Sequence, residues 1–335
     1  MPTIVMTDND FGDSSFERAM VEAANITFVS AADETSLPMT ELRQPKQLIK
    51  SLAEADGAIA SYGNYTSEVF KACPKLKVVS KTGTGVDNID VTSASACKTA
   101  VCNVPGYGTE VVSDHAIALA LTSIRRINEI DADMHNNVWD FRQHRPLGQI
   151  SGRTFGVVGF GAIGKACARK AAGLGFKVVV WDRSATPGTT TQEGYPCLEL
   201  EQLLAQVDVV SFHVALTPQT HHLLNADNLA LLKPDCIVVN TSRGAVVDTV
   251  ALAEALNANK LWGAALDVFE EEPLSPEAPI RHAKHTVLTS HAAYWSEESI
   301  VELRRRCTQN AIDVVLGKTP QNCVNPEVLQ AAWAK

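Results

Sequence analysis

The sequence predicts an α/β protein of two domains, one of them a doubly wound parallel sheet. Three observations lead there. Short apolar runs alternate along the chain with segments of helical composition, the pattern that builds parallel sheets flanked by helices. The stretch from Gly152 to Asp182 holds a strand, a glycine-rich turn, a helix and a second strand in succession. At 335 residues the chain is also long enough for two separately cored domains.

The Gly152 to Asp182 stretch is the anchor. Thr154–Val158 is apolar and β-prone, Gly159-Phe160-Gly161-Ala162-Ile163-Gly164 supplies G-x-G-x-x-G, residues 163–174 are alanine-rich, and Lys177–Trp181 is a second strand ending at Asp182. Gly159 and Gly161 allow a tight turn and close approach of backbone to a pyrophosphate, while Gly164 lets helix pack on strand. The helix start at Ala162 and Ile163 offers unpaired N–H groups to phosphate. Asp182, about 20 residues on, is placed to accept hydrogen bonds from an adenosine ribose. Its charge would repel a 2′-phosphate, which favours NAD over NADP. The neighbouring Arg183 weakens that preference without reversing it. The whole unit reads as a Rossmann-type cofactor domain.

Composition narrows the class of partner. A net charge of −9 argues against a nucleic-acid or anionic-membrane surface, so the partner is expected to be a small molecule. Eight cysteines are scattered without C-x-x-C spacing, as buried free thiols are in a reducing compartment. The N-terminus has no basic region followed by a long apolar one, and no apolar stretch reaches the roughly 18 residues of a membrane span. A cytoplasmic protein is expected. The pairs His221-His222 and His282/His285 lack acidic or cysteine partners at metal-ligand spacing, so no metal site is assigned.

Before the anchor, strand candidates fall at Thr3–Met6, 26–29, Gly57–Ala60, 76–79 and Ala100–Cys102, with helical segments such as 16–24 and 47–55 between them. Residues 110–133 read as one long apolar helix, and 136–150 as a polar excursion carrying Trp139 and Phe141 that packs on a partner. After the anchor, apolar runs at 208–212, 236–239, 264–268 and 286–289 bring the cofactor sheet to six strands. Ligands of open α/β sheets bind at the carboxyl edge. Read there, the six strands present Gly159, Asp182, His213, Arg243, Asp267 leading to Glu272, and His291. The helical segment 297–316 is expected to return to the first domain. The boundaries are then 1–103 with 297–335 for a substrate domain, and 104–296 for the cofactor domain.

The chemistry sits in four places. Arg243, in Asn240-Thr241-Ser242-Arg243-Gly244, offers a rigid fork suited to holding a carboxylate and polarising a neighbouring carbonyl. Taken singly it could pair a surface acid, Glu272 could be one more acid of an acidic loop, and His291 a satisfied strand-end histidine. Together they supply an acid, an orienting carboxylate and an anion clamp, as hydride transfer to a 2-keto acid requires. The fourth place is Lys81 to Asn88, where two glycines could turn N–H groups toward an anion or simply form a turn capped by Asp87 or Asn88.

These motifs resemble the D-isomer-specific 2-hydroxyacid dehydrogenase family, which includes phosphoglycerate dehydrogenases, glyoxylate/hydroxypyruvate reductases and the C-terminal-binding-protein corepressors. The resemblance rests on Gly83-Thr84-Gly85-Val86-Asp87-Asn88-Ile89-Asp90, Asn103-Val104-Pro105-Gly106, Gly159 to Gly164, His213 to Pro218, Asn240 to Gly244, Ala265 to Phe269 with Glu272-Pro273, and Ser290-His291. It implies that Arg243, Glu272 and His291 are catalytic, and that Thr84 and Gly85 amides hold the substrate carboxylate. It also implies that His213, Thr217, Thr241 and Asp267 lie along the cofactor, and that the substrate domain is a discontinuous flavodoxin-like α/β unit. Ala215 departs from the family's usual proline. The resemblance further implies a homodimer with residues 110–150 at its interface, and an NAD-dependent oxidoreductase interconverting a 2-keto acid and a D-2-hydroxy acid. The alternative within the family is an NADH-sensing binding protein of the corepressor type. Bulky Tyr294, beside His291, suggests that apolar side chains on the keto acid are accepted and phosphate-bearing ones are poor.

Overall fold

Of this chain, the computed structural model describes residues 1–33 and 37–329. Five short β-prone runs, β1 (Thr3–Met6), β2 (Thr27–Ser30), β3 (Gly57–Ala60), β4 (Val78–Lys81) and β5 (Ala100–Cys102), pair in parallel in the order β2-β1-β3-β4-β5. This is the flavodoxin-like order. β3, β4 and β5 are buried along their whole length, as strands covered on both faces must be. The helix Glu297–Val315 packs on β3, β4 and β5 and on the helix Ser15–Ala23. It starts in a reciprocal cap, in which Ser299 N–H donates to Ser296 Oγ at 3.1 Å and Ser296 N–H to Ser299 Oγ at 2.9 Å. Arg304 grips the buried Glu17 through two bonds of 2.6 Å, which ties the two helices together.

Contacts divide the chain into Met1–Tyr107 with Ser296–Lys335, and Gly108–Trp295. Residues 330–335 of the expected first-domain segment lie outside the described residues. The second unit carries β6 (Thr154–Val158), β7 (Lys177–Trp181), β8 (Val209–Phe212), β9 (Ile237–Asn240), β10 (Gly263–Leu266) and β11 (Thr286–Leu288), all parallel, in the order β11-β10-β9-β8-β6-β7. Their side chains alternate between two cores: Val158, Val210, Phe212, Val238 and Leu266 face one side, and Phe155, Val157, Val180, Val209 and Val239 the other. Beyond β7, where a doubly wound sheet has a further strand, residues 196–198 make a single bridge to Val180. The order in which strands are added reverses between β6 and β8, which makes that junction the ligand-binding crevice of the fold.

Most strand boundaries match the apolar runs to within one or two residues. The expected single helix over 110–133 does not form. The helix Thr109–Arg125 ends where Arg126 turns left-handed (φ 49°), and a second helix, Ile127–His135, follows. The break is held by tertiary contacts. Arg126 is buried, donates to Glu129 at 2.9 Å and stacks on the Trp262 ring. The first of these helices lies on the helix Ala162–Gly173 through Ala116, Ala120, Ala168 and Ala171, small residues that allow close approach. Residues 136–150 contain one short 3-10 turn, Phe141–His144, and leave Trp139 86% and Phe141 59% exposed.

Candidate active site

The glycine turn between β6 and the helix Ala162–Gly173 is shaped by what a side chain there would meet. A Cβ on Gly164 would lie 2.0 Å from the Gly159 carbonyl oxygen, so the helix can reach the strand end only with glycine there. Gly159 (φ 96°) passes so close to β8 that a Cβ would sit 2.8 Å from the His213 carbonyl. A Cβ on Gly161 would meet nothing within 4 Å. Ala162 and Ile163 open the helix, and their N–H groups belong to its unsatisfied first turn. At the tip of β7, Asp182 accepts Phe160 N–H at 2.7 Å and both the N–H and hydroxyl of Ser184, at 2.9 and 2.6 Å. Burial opposes its charge, but these donors prevail and hold the carboxyl below the usual range.

Farther along the same edge, His213 and Thr241 each keep a buried polar atom without a hydrogen-bond partner in the protein, Nδ1 and Oγ1 respectively. His213 Nε2 meets Ser211 Oγ at 2.9 Å, and burial pushes its imidazole down to about 4. By area the residue is partly exposed, yet Nδ1 is sealed, so the ring stays neutral. Thr217 closes its turn on Thr220, whose Oγ1 accepts Thr217 N–H at 2.8 Å. A glycine cradle open to a ligand, an acid beyond it and two orphaned polar atoms along the edge fit a dinucleotide such as NAD.

The catalytic candidates follow β9, β10 and β11. Asn240, ending β9, shapes the Arg243 turn: its Nδ2 donates to Arg243 O at 2.8 Å and its Oδ1 accepts Ser242 N–H at 3.0 Å. Gly244 then presses on the loop after β10, where a Cβ would lie 1.8 Å from the Phe269 carbonyl carbon. Phe269 N–H in turn donates to Glu272 Oε1 at 2.9 Å. The other oxygen, Oε2, lies 2.6 Å from His291 Nδ1. Arg243 and the Glu272–His291 pair are thus joined through one tight backbone contact. Tyr294 stands edge-on to the His291 ring, with centroids 6.0 Å apart.

Asp267 has a part that sequence reasoning did not foresee. Its carboxylate is fully buried and accepts Thr289 Oγ–H at 2.5 Å, Ala292 N–H at 2.8 Å and Ala293 N–H at 2.9 Å. Its main-chain oxygen accepts His291 N–H at 2.8 Å. Asp267 therefore holds His291 in its left-handed conformation, φ 54°, a strained one for a non-glycine residue. With Thr289's proton given to Asp267, His115 Nε2 at 3.0 Å is the donor to the Thr289 oxygen. The only sequence signal for His115 was the polar triplet Ser113-Asp114-His115 inside an apolar helix.

Thr84 and Gly85 belong to the first unit, in the loop after β4. Val104 N–H donates to Gly83 O at 2.8 Å, Thr84 Oγ1 to Val104 O at 3.2 Å, and Asn103 Nδ2 to Thr84 O at 2.6 Å. Among the described residues, no protein acceptor takes the N–H of Thr84 or Gly85. No group of three or more His, Cys, Asp or Glu side chains able to hold a metal ion occurs among the described residues. No helix there is long and apolar enough to cross a membrane.

Comparison with known proteins shows what the chain is similar to. The family profile for "D-isomer specific 2-hydroxyacid dehydrogenase, NAD binding domain" matches residues 117–293. A glyoxylate reductase of Korarchaeum cryptofilum is 38% identical over 85% of this chain and 87% of its own length. A D-3-phosphoglycerate dehydrogenase of Mycobacterium leprae is 35% identical over 80% of this chain but only 51% of its own length. Among solved structures, a Thermus thermophilus protein at 32% identity covers 97% of this chain and 100% of its own, with a TM-score of 0.84. The chain belongs to the D-isomer specific 2-hydroxyacid dehydrogenases. It is an NAD-dependent oxidoreductase of that family.

Proposed function

We propose that this enzyme reduces a small, unphosphorylated 2-keto acid to its D-2-hydroxy acid, with His291 as proton donor, Glu272 as its orienting carboxylate and Arg243 as the clamp on the substrate carboxylate. The observation that carries the reading is the 2.6 Å contact from His291 Nδ1 to Glu272, whose other oxygen is tied down by Phe269 N–H. Nδ1 is committed to Glu272, so the proton passes from Nε2 to the keto oxygen as negative charge develops there. Bound NADH supplies the hydride. Gly159, Gly161, Ala162, Ile163, Gly164, Asp182, His213, Thr217, Thr241 and Asp267 are the residues proposed to hold it, and Thr84 and Gly85 those proposed to offer amides to the substrate carboxylate.

Glyoxylate reductases match over most of their own length and the phosphoglycerate dehydrogenase over about half, which favours small keto acids. Tyr294 beside His291 favours apolar side chains over phosphate. These relatives are named as enzymes and lend no support to the corepressor alternative. A panel of glyoxylate, hydroxypyruvate, pyruvate, 4-methyl-2-oxopentanoate and phosphohydroxypyruvate, with NADH oxidation followed by absorbance, tests the reading. Turnover of unphosphorylated acids with NADH preferred over NADPH is expected. Fastest turnover of phosphohydroxypyruvate contradicts the substrate assignment, and NADH binding without any turnover favours the sensing alternative.

The protein is further read as a cytoplasmic homodimer. Ile127, Met134, Val138, Trp139 and Phe141 expose apolar side chains along one stretch of chain, a surface of the kind that interfaces cover. Eight unpaired cysteines suit a reducing compartment. Sedimentation equilibrium is expected to return twice the chain mass, and Trp139→Glu with Phe141→Glu to return the monomer. A monomeric parent protein would refute the dimer.

A further inference from the structure

Residues 322–325 pass beside β5 and are held there by one backbone and three side-chain hydrogen bonds. Asn322 Nδ2 donates to Asn103 Oδ1, and Val324 N–H donates to Val101 O at 2.7 Å. Asn325 Oδ1 accepts Val101 N–H at 2.7 Å while its Nδ2 donates to Thr99 O at 3.0 Å. Asn322 reaching Asn103 and Val324 bonded to Val101 bring Cys323 beside Cys102. Cys323 Sγ donates to Asn325 Oδ1 at 3.5 Å, and the Cys102 thiol interacts with it. A disulfide bridges Cα atoms roughly 4.4–6.8 Å apart.

Their surroundings differ in a useful way. Cys102 is fully buried, whereas Cys323 is partly exposed. The neighbouring Cys102 thiol holds Cys323 down at about 7 against its burial, helped by the N–H groups of Asn325 and Val101. Cys323 and burial in turn push the Cys102 thiol up. An accessible thiolate against a sealed partner is the arrangement of an attacking and a resolving cysteine. The other thiol near Cys102, Cys307, is fully buried and donates to Ser80 O at 3.4 Å.

We propose that Cys323 and Cys102 form a reversible, peroxide-driven disulfide that switches the loop carrying Thr84 and Gly85. The Cys323 thiolate attacks hydrogen peroxide, an S–O bond forms, the O–O bond breaks and hydroxide leaves. The Cys102 sulfur then attacks Cys323, the S–S bond forms, the S–O bond breaks, and the hydroxyl departs as water with the Cys102 proton. Both thiols are oxidised by one electron each, and peroxide is reduced to water. A dithiol reductant reverses the step. Asn103 couples the pair to the loop: it follows Cys102 in sequence, accepts from Asn322 and donates to Thr84 O at 2.6 Å. Drawing the sulfurs to bonding distance shifts that brace. The effect on turnover rests on the proposed role of Thr84 and Gly85; the disulfide itself does not.

The test treats the full chain with hydrogen peroxide, quenches by alkylation and maps unreduced peptides by mass spectrometry, with kinetics on the same samples. A Cys102–Cys323 linkage is expected, removed by dithiothreitol, with a several-fold rise in KM for the keto acid and unchanged NADH affinity by fluorescence. Cys323→Ser, at a partly exposed position, is expected to form no linkage and to keep its KM after peroxide. Cys102 recovered as an alkylated thiol beside over-oxidised Cys323 overturns the pairing, and a linked enzyme with unaltered KM overturns the switch. Failure of the keto-acid reading shows separately, in the untreated enzyme, and leaves the peptide map to judge the disulfide.

Discussion

His291 does its proposed work from a backbone conformation that costs of order 1–3 kcal/mol, so its neighbours must hold it there. Asp267 does so with four bonds, three to its carboxylate and one to its main-chain oxygen. Glu272 then fixes the ring by its contact with Nδ1. Glu272→Gln removes the carboxylate charge while retaining an oxygen for Phe269 N–H. The kcat for reduction is expected to fall, with NADH affinity unchanged. A kcat equal to the parent's would mean that Glu272 does not serve His291. Arg243, Glu272 and His291 could be picked as candidates because three chemically suitable residues follow three successive strands. Their bracing could not: Asp267 lies in a loop with three glutamates, and only the fold shows which carboxylate turns inward. Gly244 against Phe269 is likewise a contact between segments 25 residues apart in sequence, with no local mark.

At the scale of elements, β-branched runs bounded by turn residues marked nearly every strand, because strands buried on both faces leave little choice of residue. The helix break at Arg126 escaped because no glycine or proline announces it; Glu129 and Trp262 make it. The end of β8 gives an expectation for stability. His213 is a base whose folded value is pushed down to about 4 from an unfolded value near ~6.5. The unfolded chain binds the proton first as pH falls, so this contribution is whole above about 6.5 and lost progressively down to about 4. The ceiling is about 1.4 kcal/mol per pH unit in that window, less in practice because the residue is partly exposed. Urea midpoints are expected to fall as pH drops from the ~6.5 reference toward about 4, and to fall less steeply in His213→Gln, which takes up no proton. Parallel falls in the two proteins would show that other groups carry the loss.

For the whole molecule, the division of labour follows from two parallel sheets with different strand orders. The flavodoxin-like sheet carries the Thr84–Gly85 loop, and the doubly wound sheet brings the glycine cradle, Asp182, Arg243, Glu272 and His291 to its carboxyl edge. Alternation of strands and helices made both sheets readable from the sequence, and the excursion carrying Trp139 and Phe141 could be picked out there too; the fold adds their exposure, 86% and 59%. In the proposed mechanism His291 delivers the proton in a stereospecific keto-acid reduction. The most direct test is single-turnover reduction of a 2-keto acid with NADH by the parent enzyme and by His291→Ala, with chiral chromatography of the product and separate titration of NADH. D-2-hydroxy acid is expected from the parent, with a loss in rate on the order of 10²–10⁴ in the variant and nearly equal NADH affinity in both. Near-parental turnover by His291→Ala, or an L-configured product from the parent, would contradict that mechanism.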